Sequence, residues 1–399
     1  GLPEPQRRLL RQAIPLDALP ESLRAQLEQL PPPLSPQPRR WPPEDLIPLA
    51  LPGRARPPRF IEHRLRGQDP FPPERAEEEL QRLLDPRRSI FWPHPLWEHL
   101  VQIRQPVWVE GPPGSGRTAM AIAMAGLLHP RLQNSLILYL PAWIGPEGIP
   151  RGFARLLLRF IRGHPTWLAS LDRPPQRLLS RFLKSALGAE VVEESLHHAL
   201  LHLEEAPWLK EAKDKDQQAI WLQEARYGLR RLLQEGSGVH VPALSETWTD
   251  ELLSCAQALE FHQVRVIIDL SGSTADDTTL RALIDFLPRW GIAGIPSTVF
   301  LPVGRSPLDQ ERYEIRWEDG MLKQLMDHRY RTILGSHRAL AEIIDPEALE
   351  RLIQAARSDP QEGAPRRLGR LWRRIAESLP AEHPRVTVKD IEKAMNRNA

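Results

Sequence analysis

One segment constrains this chain more than any other: Gly111-Pro112-Pro113-Gly114-Ser115-Gly116-Arg117-Thr118. It leaves a short apolar run (PVWVE, residues 106–110) and enters a stretch at 119–128 that is apolar all round. An apolar run of that length reads as a buried strand, and an all-round apolar stretch reads as a buried helix. A strand, a glycine-rich turn and a helix in direct succession leave few options. The glycines let the backbone curl until successive N–H groups face inward, and the helix N-terminus adds about half a positive charge. Such a loop is built to hold an anion, phosphate above all.

Two positions refine that expectation. Thr118 stands where a hydroxyl would ligate Mg²⁺, and residue 117 where a cation would reach the β- and γ-phosphates of a nucleotide. The usual cation there is Lys; this chain has Arg117, whose planar fork is not equivalent to a point charge. The acidic partner of such a loop sits at the end of a neighbouring strand, and the run at 264–269 (VRVIID) supplies Asp269 to hold Mg²⁺ through water. Position 270, where a water-activating Glu would follow, is Leu. Losing a general base costs about 10²–10⁴-fold, so hydrolysis is expected to be slow or dependent on a partner. Asp276 and Asp277 are the nearby acids that could substitute.

Around this loop the chain alternates strands and helices. Further strand-like runs fall at Ser135–Leu140, 264–269 and 297–303, with a shorter one at 312–317, predicting an α/β fold with a parallel sheet sandwiched by helices. Between the second and third runs, about 141–263, the period is helical, far more chain than one crossover requires, so this is a helical insertion. The sequence thus suggests an α/β domain over 61–304 and an all-helical lid over 305–399. Residues 1–60 form an N-terminal arm with two short helical patterns. Eighteen of the 42 prolines fall in the first 75 residues, and proline sustains neither a helix nor a central strand.

Composition mainly excludes. Lys and Arg total 53 against 51 acids, so whole-chain charge argues for neither nucleic acid nor membrane. No apolar stretch approaches the ~20 residues of a membrane span, and a single cysteine, Cys255, forms no internal disulfide, which points to the cytoplasm. His198 and His202 have the i,i+4 spacing of zinc helices but lack the remaining ligands, and Asp269-Leu-Ser-Gly272 has no guanine-reading companion.

With these residues in view, the chain resembles the AAA+-like P-loop ATPases, and most closely the bacterial signalling ATPases called STAND. Beyond the loop itself, the likeness rests on Asp69-Pro70-Phe71 followed by AEEEL, on IRWEDGMLKQLMDHR (315–329), on Gly363-Ala-Pro365-Arg366-Arg367-Leu368, and on the closing VTVKDIEKAM. The resemblance implies binding of ATP or ADP with Mg²⁺, with Gly111 to Thr118 and Arg366 as nucleotide contacts. Thr118 and Asp269 would serve the metal, and Arg117, Asp269 and Arg366 would be the catalytic set. Arg366 corresponds to the lid arginine that approaches the phosphates.

The lid helix reads independently as well. At 3.6 residues per turn, Arg366, Arg367, Arg370, Arg373 and Arg374 fall within about 120° of one face. That face suits a solvated surface, a phosphate contact by Arg366, or a nucleic-acid stripe. Three functions follow: a nucleotide-controlled molecular switch acting through self-assembly or an unidentified protein partner, a scaffold that no longer responds to nucleotide, or a DNA-associated initiator or loader ATPase.

Overall fold

The computed structural model describes residues 59–65, 69, 80–83, 89–126, 128–132, 135–169, 171–212, 214–235, 248–271, 276–307, 311–335 and 340–396. Residues 1–58 of the Pro-rich arm and the 70–71 and 76–79 parts of the Asp-Pro-Phe lead-in lie outside the described residues. Leaving aside single turns, the order is α1 (Arg59–Arg64), α2 (Leu96–Gln102), β1 (Val107–Gly111), α3 (Arg117–Ala125) and β2 (Ser135–Leu140). Then come α4 (Gly148–Gly163), α5 (Arg173–Leu187), α6 (Ala189–Leu201), α7 (Lys215–Gln234), α8 (Trp248–Ala258) and β3 (Gln263–Asp269). The chain continues through α9 (Asp277–Ile292), β4 (Ser297–Pro302), β5 (Arg312–Glu314), α10 (Asp319–Leu334), α11 (Pro346–Arg357), α12 (Ala364–Ser378) and α13 (Val388–Asn396).

The five strands form one parallel sheet flanked by helices, in the order β2-β3-β4-β1-β5. β4 is inserted beside β1, pairing Val107 with Thr298 through Gly111 with Pro302, and on its other side pairs Asp269 of β3 with Phe300. β5 closes the far edge, pairing Trp108 with Arg312. Because the strands are parallel, their carboxyl ends share one edge, and ligands of open α/β sheets bind outside that edge. The loop after β1 and the acid that ends β3 are therefore brought to the same side with one strand between them. Every residue of β1 and β2 is buried, which is why their sequences are apolar for most of their length.

Packing divides the described chain into two compact units. One comprises residues 144–264 with 135–138, and holds α4 to α8; the other carries β1, β4, β5, the rest of β3 and the helices outside that stretch. In the second unit, α10 to α13 enclose an apolar core built on Leu322, Met326, Tyr330, Leu352, Leu368, Trp372 and Ile391. Phe60, Ile61 and Leu65, from before the sheet begins, are buried in that same core, with Phe60 edge-on to Trp372 at 6.4 Å.

Two elements differ from the sequence reading. β5 stops at Glu314, and the 315–318 segment that follows is irregular. Asp276 and Asp277 do not lie in an open loop: Asp276 caps α9, its carboxylate accepting from the Thr279 amide at 2.7 Å. The helix escapes a simple pattern reading because Pro288 interrupts it. A further anchor is Arg265 of β3, which is buried and donates to the carbonyls of Leu100, Val101 and Ile103 at 3.0, 3.2 and 3.0 Å. It caps the C-terminus of α2, whose last carbonyls would otherwise be left dry.

Candidate functional site

Between Gly111 and α3 the chain makes a tight turn, the Ser115 amide donating to the Pro112 carbonyl at 3.1 Å. Gly114 and Gly116 have φ of 86° and 96°, a left-handed backbone in which a side chain is strained. Gly111 serves a different need, close approach: a Cβ there would lie 2.4 Å from Ser115 Oγ. α3 then starts at Arg117 with Gly116 as its cap residue, so the free amides of its first turn open onto the loop. Thr118 is half-buried in that turn.

Two polar atoms of this loop are buried without a hydrogen-bond partner: Ser115 Oγ and Arg117 Nη1. The second is the more telling. Arg117 is 4% exposed, and a guanidinium taken from water without partners is strongly disfavoured. Burial lowers its pKa, Asp269 opposes that by attraction, Arg366 adds to it by repulsion, and Glu110 again opposes it. Arg117, at the amide end of α3, thus feels the charges of Asp269, Arg366 and Glu110. Glu110 is engaged by the chain itself, Oε1 accepting from the amides of Arg305 and Ser306 at 2.9 and 2.6 Å. Desolvation pushes its carboxyl up, but these hydrogen bonds outweigh it and hold the group below its ordinary range.

Asp269 is likewise engaged. Its Oδ1 accepts from the Ser271 amide at 3.0 Å and its Oδ2 from the Tyr139 hydroxyl at 3.3 Å, and it is 4% exposed. The neighbouring Leu270 is buried, its amide donating to the Phe300 carbonyl. Of the two nearby acids, Asp276 caps α9, and Asp277 pairs with Arg305 at 3.4 Å.

The start of α12 sits directly on the loop. The Gly363 amide donates to the Pro113 carbonyl at 2.8 Å, and a Cβ on Gly363 would fall 2.2 Å from the Ser115 nitrogen. Arg366 is draped over Gly114, whose own Cβ would meet the Arg366 Cβ at 2.4 Å. On the other arginines of this face, Arg367 pairs with Asp359 at 3.1 Å, Arg370 with Glu362, and Arg373 with Glu377 at 3.0 Å. Arg366 has no ion-pair partner among the described residues. Trp317 adds a second tie, its indole N–H donating to the Ser115 carbonyl at 2.8 Å. Behind it stand Trp92 and His94, with ring centroids 5.7 and 5.2 Å away. His94 Nδ1 accepts from the Leu96 amide and Nε2–H donates to the Arg316 carbonyl, which fixes a neutral tautomer.

The residues thus fit a polyphosphate anion: the amide end of α3, a buried guanidinium whose Nη1 has no hydrogen-bond partner, and Arg366 over Gly114. They fit a resident divalent cation poorly. Asp269, the carboxylate such an ion needs, is nearly closed to solvent and holds two internal donors. Among the described residues no cluster of three or more His, Cys, Asp or Glu side chains could hold a metal ion; the rings of His198 and His202 lie 4.4 Å apart at the end of α6, and His202 Nδ1 pairs with Glu205 at 3.3 Å. No described helix is long and apolar enough to cross a membrane.

Sequence reasoning missed Tyr139, Glu110 and the contact made by Gly363. Each belongs to a motif visible in the chain, but what it touches lies more than a hundred residues away. Trp317, within the 315–329 motif, is a hydrogen-bonding contact to the loop. No family model matches the chain, and a comparison with curated proteins returns no significant match.

Proposed function

We propose that this chain binds a nucleoside polyphosphate, ATP or ADP, on the Gly111–Thr118 loop and works as a slow molecular switch of the AAA+ or STAND kind. The observation that carries the reading is the buried Arg117 guanidinium, its Nη1 without a hydrogen-bond partner, at the amide end of α3. A phosphate group would satisfy both at once. The switch follows from the seat of α12: a ligand entering the loop meets Arg366 and the Gly363 contact, so occupied and empty loops favour different positions of the helical layer. That change would be passed to a second copy of the chain or to a protein partner.

Slow turnover is part of the proposal. Leu270 brings no base, and Asp269, Glu110, Asp276 and Asp277 all have other partners. A scaffold indifferent to nucleotide is the second reading, favoured by the same four engagements. The DNA-associated reading has less support, because three arginines of the α12 face are neutralised by carboxylates.

Titration calorimetry with ATP and with ADP, on the wild type and on Arg117→Ala, tests this. Binding that is lost in the variant, with turnover about two to four decades below the typical 1–10³ s⁻¹, is the expected result. Absence of binding to either nucleotide would leave the scaffold reading. Rapid multi-turnover hydrolysis by the isolated chain would refute the slow switch.

A further inference from the structure

A nucleotide loop normally leaves part of the phosphate charge to a divalent cation, which bridges the β- and γ-oxygens and is held by a hydroxyl and a carboxylate. Three features of this chain redistribute that work. Asp269 keeps both oxygens hydrogen-bonded internally, to Ser271 and Tyr139. Arg117, where an ammonium would ordinarily stand, brings a buried fork whose Nη1 has no partner. Arg366 brings a second guanidinium over Gly114 and, unlike Arg367, Arg370 and Arg373, has no ion-pair partner among the described residues.

A guanidinium can take two phosphate oxygens at once in parallel N–H···O bonds, whereas an ammonium acts as a point charge. Two guanidiniums facing one site repel each other until an anion lies between them. The helix end adds about half a positive charge to theirs. We propose that this site holds a nucleoside polyphosphate without a divalent cation, Arg117 and Arg366 taking the phosphate oxygens that a metal would otherwise bridge. This rests on the nucleotide reading above and goes beyond it by assigning the counter-charge.

The test is ATP binding to the full chain by calorimetry, in Mg²⁺ buffer and again in excess EDTA, with Arg117→Lys alongside. Wild-type affinities within about threefold of each other are expected, a difference well under the ~1.4 kcal/mol of a tenfold change. Arg117→Lys, which keeps the charge but loses the fork, should bind ATP at least about tenfold more weakly in EDTA than in Mg²⁺. Circular dichroism on the variant establishes that it is folded. A tenfold or larger loss by the wild type in EDTA would overturn the metal-free site while leaving the nucleotide reading intact. Equal insensitivity to EDTA in Arg117→Lys would also overturn it, since the fork would then be irrelevant. Absence of ATP binding in both buffers would refute the nucleotide reading, and this inference with it.

Discussion

Gly363→Ala is the substitution whose outcome depends most directly on the tertiary geometry. Gly363 has φ −63° and ψ 129°, a conformation open to any residue, so nothing local requires glycine. On backbone grounds alone the change would stabilise the protein by about 0.4–1 kcal/mol, through a less flexible unfolded chain. The loop reverses that expectation. The new Cβ would lie 2.2 Å from the Ser115 nitrogen and 2.4 Å from the Gly114 carbonyl carbon, both backbone atoms, where ordinary contact begins near 3.4 Å. The start of α12 must retreat by about 1 Å, stretching the Gly363–Pro113 hydrogen bond beyond useful length. Losing that bond costs about 0.5–1.5 kcal/mol and the overpacking about 1–3 kcal/mol. The net expectation is destabilisation by about 1–4 kcal/mol, read as a lower urea midpoint, with faster hydrogen exchange at the residue 363 amide. Gly320→Ala is the control: a Cβ there meets nothing within 4 Å, and in the first turn of α10 it should stabilise by up to about 1 kcal/mol. If Gly363→Ala proves as stable as the wild type, or behaves like Gly320→Ala, the seating of α12 on the loop is wrong.

Burial holds the His94 imidazole below its ordinary 6.5, against the Arg316 carbonyl and the charge of Glu318. The unfolded chain therefore takes up the proton first, and His94's contribution is complete above pH 6.5 and lost as pH falls from there towards the folded value. Urea midpoints of wild type and His94→Gln should converge as pH is lowered from about 7.5 to 5, and a constant difference would count against the neutral imidazole. Cys255 is buried and its thiol is pushed up to about 12, by desolvation first and by Glu251 second. A thiol reagent at about pH 8 should label it only when urea unfolds its surroundings; rapid labelling of the native protein would contradict that burial. Asp276→Ala should lower the urea midpoint by removing the cap on α9, while leaving ATP turnover unchanged within about twofold. A loss of turnover in that variant would make Asp276 a working acid after all.

Much of the fold was legible because its signals are local. An unbroken apolar run such as SLILYL becomes β2 over the predicted bounds, since a strand covered on both faces needs no polar alternation. The loop was legible for the same reason: Gly114 and Gly116 are required by positive φ at their own positions, whatever lies around them. The helix α9 was hidden because Pro288 contradicts the local pattern, and only packing of Leu283, Leu287 and Trp290 overrides it.

What the sequence by itself determined, then, is the loop and most of the strands around it. Which partners each charged group would find was decided only in three dimensions. Asp269 looks identical on paper whether its oxygens are free or held by Tyr139 and Ser271. The five arginines of α12 share one face in any helical projection, yet carboxylates take three of them while Arg366 meets the loop. Gly363 carries no local mark of its role, because its backbone angles suit every residue and the Ser115 backbone alone excludes a side chain. Backbone conformation is set mainly by a residue and its neighbours in the chain, whereas charge pairing and close approach depend on atoms that folding brings from far along it.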